Sequence, residues 1–230
     1  MFSIDNHLGH TVLASAMPNR GCVVFDCGAN RGEFSRWAAK RFNATVYAFE
    51  ADPNIASSLP AGDRVKAFNV AIAGLDGNAI LRRAPQQCSS TVFNRQAIDD
   101  DTLPVPTRNL GSICKEHNIT RVNLLKLDIE GAELDVLEAA TPELLASIDQ
   151  ITCEFHDFLD SSHRPRIRAV LSRMRRSGFL VMSMSYWTYG DVIMLNKALV
   201  NCGLPVRMRI LAHKYASGIR RLVCRFLRTT

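Results

Sequence analysis

One stretch limits the fold more than any other: residues 22–36, which read Cys-Val-Val-Phe-Asp-Cys-Gly-Ala-Asn-Arg-Gly-Glu-Phe-Ser-Arg. A short apolar run of β type, Cys22 to Phe25, ends on Asp26. A turn carrying Gly28 and Gly32 follows, and then Phe34, Trp37, Ala38 and Phe42 recur at helical spacing. Strand, glycine turn and helix in this order open a nucleotide-binding βα unit. Glycine allows backbone to approach a ligand closely, and the unpaired N–H groups of a helix start favour an anionic group.

The turn separates two ligand classes. A dinucleotide site expects G-x-G-x-x-G around a pyrophosphate. Here the spacing is Asp26-x-Gly28-x-Asn30-x-Gly32, with an acid before the first glycine. That carboxylate opposes a pyrophosphate and suits a cation such as the sulfonium of S-adenosylmethionine. A structural turn in another α/β protein is the competing reading.

The rest of the chain repeats the alternation. Thr45–Glu50 reads as a buried strand ending on an acid, and Pro53 opens a short helix. An acid at the second strand tip is placed to hold ribose hydroxyls. Arg64–Ile72 reads as a third strand and Ala79–Arg82 as a hairpin strand. Residues 84–108 are polar and expected to be irregular, with short strands near Thr91–Phe93 and Val105–Thr107 and an acidic cluster at Asp99–Asp101. A helix over Leu110–Glu116 precedes a strand over Val122–Asp128. A fifth strand covers Ile151–His156, and an arginine-rich helix covers Arg164–Arg176. Phe179–Met184 and Asp191–Leu195 form a closing antiparallel pair. Alternating strands and helices imply a mostly parallel sheet with helices on both faces.

In such sheets ligands lie outside the carboxyl ends of the strands. Four strand ends carry chemistry: Asp26, Glu50, Asp128 with Glu130, and Glu154 with His156. Removing a hydroxyl proton calls for a base, and histidine titrates near neutrality. Glu154 and His156 stand two apart, so in a strand they share a face. His156 is then the candidate base, with Glu154 orienting it; a hydrogen-bonded structural histidine is the alternative. Asp128, Glu130, Glu133, Glu154 and His156 also offer ligands for a divalent cation such as Mg²⁺, without a spacing specific to metal. Lys126 shares the strand face of Asp128 and is expected to pair with a carboxylate.

Composition adds bounds. The chain has 230 residues, which favours one main domain, divided here into a lead-in over 1–20, a domain over 21–200 and a tail over 201–230. The seven cysteines include no C-x-x-C pair, which points to free thiols in a reducing compartment. Neither a secretory leader nor a membrane-spanning run is expected, and the predicted location is the cytoplasm. The net charge of +6 is concentrated in the tail, where Arg207, Arg209, Lys214, Arg220, Arg221, Arg225 and Arg228 meet no acid. Residues 204–228 predict a basic amphipathic helix with Met208, Leu211, Tyr215, Ile219, Leu222 and Phe226 on its apolar stripe. Such a helix suits self-docking, a partner or an anionic membrane surface, and nucleic acid least.

The motifs together resemble a family. Phe25-Asp26-Cys-Gly28-Ala-Asn30-Arg-Gly32, Tyr47-Ala-Phe-Glu50-Ala-Asp-Pro53, Asn69-Val-Ala71, Leu125-Lys126-Leu-Asp128-Ile-Glu130-Gly131-Ala-Glu133 and Glu154-Phe-His156 resemble the FkbM-type methyltransferases. The resemblance implies a class I, Rossmann-like methyltransferase fold with a seven-stranded sheet. It also implies S-adenosylmethionine as methyl donor and a hydroxyl acceptor on a carbohydrate, glycolipid or secondary metabolite. By the same resemblance Asp26, Gly28, Asn30 and Gly32 line the methionine side, Glu50 takes the ribose and Ala71 lies near the adenine. Arg31 and Ala51 depart from the family pattern. A nucleic-acid or protein N-methyltransferase, and a non-catalytic binding module acting through its tail, remain the alternatives.

Overall fold

The glycine turn predicted at 28–32 falls at the middle of a sheet, and the rest of the chain is laid out from it. The computed structural model describes residues 2–83, 89–92, 102–158 and 160–226. An N-terminal hairpin pairs β1 (Asp5–His7) with β2 (His10–Val12). The first βα unit is β3 (Val23–Cys27) and α1 (Glu33–Phe42). It continues through β4 (Thr45–Glu50), α2 (Pro53–Ala56) and β5 (Val65–Asn69). Then come β6 (Ala71–Ile72), β7 (Gly77–Arg83), β8 (Ser89–Val92) and β9 (Thr102–Arg108). After α3 (Leu110–Glu116) follow β10 (Leu124–Leu127), α4 (Glu133–Ala139), α5 (Pro142–Ala146) and β11 (Gln150–Cys153). The chain closes with α6 (Arg164–Arg176), β12 (Phe179–Ser183), β13 (Val192–Asn196) and α7 (Leu204–Phe226).

The main sheet has seven strands in the order β5-β4-β3-β10-β11-β13-β12. Strand β13 runs antiparallel to β11 and β12, and the other pairings are parallel. From β3 the chain steps outward to β5, then returns to β10 on the opposite flank. The strand order therefore reverses between β3 and β10, which opens a crevice above their carboxyl ends. Two-residue alternation sorts the side chains. Phe25, Phe49, Leu125, Leu127 and Ile151 build one buried cluster with α4 and α6. Val24, Val46, Ala48 and Leu124 face the other way, onto Phe34, Ala38 and Phe42 of α1.

Four expectations need correction. The single third strand over Arg64–Ile72 is broken at Val70. The Asn69 side-chain amide donates to the carbonyls of Glu50 and Ala51 at 2.9 and 3.0 Å, and Val70 N–H donates to Glu50 O at 3.0 Å. These bonds carry the chain across the tip of β4 into a second sheet. Residues 84–108 are less irregular than their polarity suggests, because β8 and β9 join β6 and β7 in a four-stranded sheet, β6-β9-β7-β8. Pro104 and Pro106 precede the point where β6 joins β9 at Thr107, so their missing N–H groups cost no strand pairing there. Phe93 and the Asp99–Asp101 cluster lie outside the described residues.

The lead-in over 1–20, weakly patterned and expected to be a helix or loop, instead contains a hairpin. Thr11 ties it down, donating from its hydroxyl and its N–H to Asp191 at 2.6 and 3.2 Å. Leu13 N–H adds a bond to Gln150 Oε1 at 2.9 Å. In α7 the buried row is also displaced: Ile210 is fully buried and Val206 partly so, while Met208 and Tyr215 of the predicted stripe stand more than half exposed. The side chains of Ile219, Leu222 and Phe226 lie outside the described residues. Cys22, Cys27, Cys114, Cys153 and Cys202 are free thiols. Among the described residues no helix is long and apolar enough to cross a membrane.

Candidate active site

The crevice exists because two strand ends touch. Gly28 has φ +75°, and a Cβ there would sit 1.8 Å from the carbonyl oxygen of Asp128. Only glycine lets the turn after β3 lie against the end of β10. The cavity that results is bounded by Gly28, Asn30, Glu50, Ala71, Asp128 and Glu130. Phe49, Ile55, Val70, Ile72 and Leu81 supply apolar wall. Glu50 is 6% exposed, and each of its oxygens accepts from backbone: Asn30 N–H at 2.8 Å and Asp52 N–H at 3.0 Å. Burial pushes its carboxyl pKa up, and those two N–H groups pull against the shift. A carboxylate has about four lone-pair sites, so Glu50 keeps acceptor capacity toward the cavity.

Two residues expected on the methionine side are not on the cavity wall. Asp26 is fully buried behind it. One carboxylate oxygen accepts from Ser35 Oγ at 2.6 Å, and the other lies 3.1 Å from Lys126 Nζ. Register explains the pair, since Asp26 and Lys126 are opposite each other on β3 and β10 and share a face. The acid therefore meets a lysine behind the wall. Gly32 has φ +73° and starts α1, where a Cβ would collide with the Pro60 ring at 2.3 Å. Its role is in the packing of the turn.

Lys126 fulfils the expected pairing. Its Nζ donates to Gly28 O at 2.9 Å and also lies 3.4 Å from Asp128 Oδ2. Burial alone would lower its pKa, but Asp26 and Asp128 outweigh that and keep it charged. Asp128 shows the reverse balance. Burial would raise its pKa, yet Lys126, then His10 and His156, hold it well below the usual carboxylate range.

The turn after β10 presents Glu130. Glu130 has φ +52° and Gly131 φ +102°. The turn is closed by Glu133, whose buried carboxylate accepts from Ile129 N–H at 2.9 Å and Gly131 N–H at 3.0 Å. Glu130 Oε2 then reaches His156 Nε2 at 3.2 Å, and Asp128 Oδ1 lies 3.7 Å from the same nitrogen. Burial raises the pKa of Glu130 against the pull of His156, with Asp128 and Glu133 raising it further.

The expected pairing of Glu154 with His156 is not what the structure forms. Strand β11 ends at Cys153, so the two residues do not share a strand face. Glu133 sits behind His156 instead, with Oε1 3.2 Å from Nδ1, outside good hydrogen-bond alignment. Burial would lower the His156 pKa, but Glu133, Glu130 and Asp128 lift it to about 9. At neutral pH this ring is an imidazolium. A base role therefore needs a proton removed first. Glu154 lies on the far side of Asp128, grouped with His10, and its pKa is raised by burial and by Asp128.

His10 is the residue that the sequence did not announce. It is 1% exposed, edge-on to the Phe34 ring, with Nε2 3.3 Å from Asp128 Oδ2 and Nδ1 3.4 Å from Thr152 Oγ1. It comes from the hairpin, 118 positions before its acidic partner. The one local signal is the β-type run His10-Thr-Val-Leu13 in an otherwise weakly patterned segment. His117 and His163 lie elsewhere: His117 packs on Tyr47 and Phe68, and His163 follows Asp160 on the surface.

Residues 26–181 match the methyltransferase FkbM domain. The chain belongs to that family. Two of the relatives it matches are named methyltransferases. The 2-O-methyltransferase NoeI of Sinorhizobium fredii is 26% identical over 213 residues, covering 83% of this chain and 86% of NoeI. Methyltransferase 1 of Beauveria bassiana is 28% identical over 160 residues, 58% of this chain and 64% of that protein. The AMB antimetabolite synthetase AmbE of Pseudomonas aeruginosa is 29% identical over 201 residues, but this chain spans only 10% of it. A solved FkbM methyltransferase from Methylobacillus flagellatus aligns with a TM-score of 0.48 at 14% identity, over 76% of this chain and 43% of that one. This FkbM chain is a methyltransferase enzyme, and S-adenosylmethionine is the usual methyl donor of such enzymes.

Proposed function

We propose that this chain transfers the methyl group of S-adenosylmethionine to a hydroxyl of a carbohydrate, glycolipid or secondary metabolite. The observation that carries the donor half is Glu50, a buried carboxylate fixed by two backbone N–H groups at the cavity wall. It suits a ribose diol, and the apolar wall around Val70, Ala71 and Ile72 suits an adenine ring. The hydroxyl acceptor is supported by the NoeI relative, which matches nearly end to end and is named a 2-O-methyltransferase.

Bound donor supplies an electrophilic methyl on a sulfonium. Asp128, ionised at any ordinary pH, and Glu130 place negative charge at that side of the cavity. The reaction forms an oxygen–carbon bond, breaks a carbon–sulfur bond and releases one proton from the hydroxyl. Alignment contributes most of the acceleration in such a displacement. His156 takes the proton in its neutral form, which grows as pH rises toward about 9. The test is an acceptor screen with labelled donor. Label is expected on sugar or glycolipid hydroxyls; label on RNA or peptide alone would reject the acceptor class.

A further inference from the structure

The three segments that meet at Asp128 bring together more ligand chemistry than proton transfer requires. His10 and Asp128 fall with Glu154 in one group, and Asp128, Glu130 and His156 in another; within each group one ligand atom per residue lies within 4.8 Å of the others. Asp128 belongs to both. Both imidazoles present Nε2 to it, at 3.3 Å from Oδ2 and 3.7 Å from Oδ1. Atoms about 2.1 Å from a common ion sit roughly 3 to 4.2 Å from one another, so only small movements separate this arrangement from a coordination shell.

The opposite nitrogens argue in the same direction. His10 Nδ1 faces the Thr152 hydroxyl at 3.4 Å, and His156 Nδ1 faces Glu133 at 3.2 Å. A histidine that binds metal through one nitrogen usually has its other nitrogen held by an oxygen, which fixes the ring and its tautomer. His10, from the hairpin, has this attitude, whereas the His156 contact is outside good hydrogen-bond alignment. Lys126 occupies only part of Asp128 Oδ2, because it is also held by Asp26 and by Gly28 O.

We infer that the group of His10, Asp128 and Glu154 holds one divalent first-row transition-metal ion beside the cavity. The His10 imidazole, outside the set for which Mg²⁺ was expected, revises that choice of ion. Mg²⁺ selects oxygen and keeps its waters, whereas mixed imidazole and carboxylate sets suit ions such as Mn²⁺. The ion's use rests on the methyl-transfer reading: a hydroxyl bound to it would lose its proton more easily. Its binding does not rest on that reading.

The experiment uses the full chain, stripped with chelator and dialysed. Mn²⁺ and Mg²⁺ are titrated by calorimetry, with bound Mn²⁺ followed by electron paramagnetic resonance, and S-adenosylhomocysteine is titrated in parallel. One Mn²⁺ per chain is expected, bound more tightly than Mg²⁺. His10→Ala and Glu154→Gln should each weaken Mn²⁺ by about tenfold or more and leave S-adenosylhomocysteine affinity nearly unchanged. Circular dichroism checks each variant, and Glu154→Gln carries the reading alone if His10→Ala does not fold. No saturable Mn²⁺ binding, or affinity unchanged in folded variants, would overturn the site. Mn²⁺ binding without S-adenosylhomocysteine binding would uphold the site and reject methyl transfer.

Discussion

The two sides of the crevice are built differently. On the side proposed to take the donor, Gly28, Asn30 and Glu50 come from one strand–turn–helix–strand passage, and their contacts are backbone bonds over short chain distances. On the side proposed to take the acceptor, Asp128 draws its partners from the N-terminal hairpin, the β10 turn and the end of β11. The donor side is held by chain geometry. The other side is held by charge, and the buried Lys126 is shared by both. A fold of this kind can keep one half constant while the other changes with the acceptor.

The largest expected effect tests the shared lysine. Lys126→Met leaves Asp26 buried without its cation, and breaking one partner of a buried pair costs about 3–5 kcal/mol. Urea denaturation measures this, and a loss below about 1 kcal/mol would separate the two sides after all. Next is Gly28→Ala, where a left-handed backbone and a collision with the Asp128 carbonyl should cost more than about 2 kcal/mol. Thermal melting reads that loss, and an intact melting point would mean the strand ends need not touch.

Glu50→Gln sharpens the contrast. Its amide cannot accept both backbone N–H bonds, so S-adenosylhomocysteine affinity should fall roughly 10- to 100-fold with turnover chemistry otherwise retained at saturating donor. The gentlest probe is pH on the acceptor side. The His156 pKa is raised from 6.5 to about 9, so the charged ring stabilises the fold fully below 6.5. That contribution fades as pH climbs to about 9, while turnover should rise over the same interval. His156→Ala should abolish both trends; turnover that keeps its alkaline rise would remove His156 from proton transfer.

This asymmetry also decides what could be read in advance. The βα unit, the acid at the tip of β4, α6 and the closing antiparallel pair were legible because each is a local pattern of period two or 3.6. Asp26 was legible as an acid but not as a partner of Lys126, since the register of β3 on β10 is a long-range property. His10 was invisible for the same reason, standing 118 positions from Asp128. The break at Val70 depends on Asn69 side-chain bonds to Glu50 and Ala51, which no periodicity reports. The stripe of α7 was misjudged because a helix with apolar residues on several sides is positioned by its neighbour: Val206 and Ile210 meet the cluster around Leu13 and Leu195.

The central claim is that the cavity between Gly28, Glu50 and Asp128 takes the methyl donor. Calorimetry of the purified chain with S-adenosylhomocysteine and, separately, with NAD tests it most directly. Saturable binding of S-adenosylhomocysteine at one site per chain, with none for NAD, is the predicted result. Binding of NAD, or of neither, would contradict it.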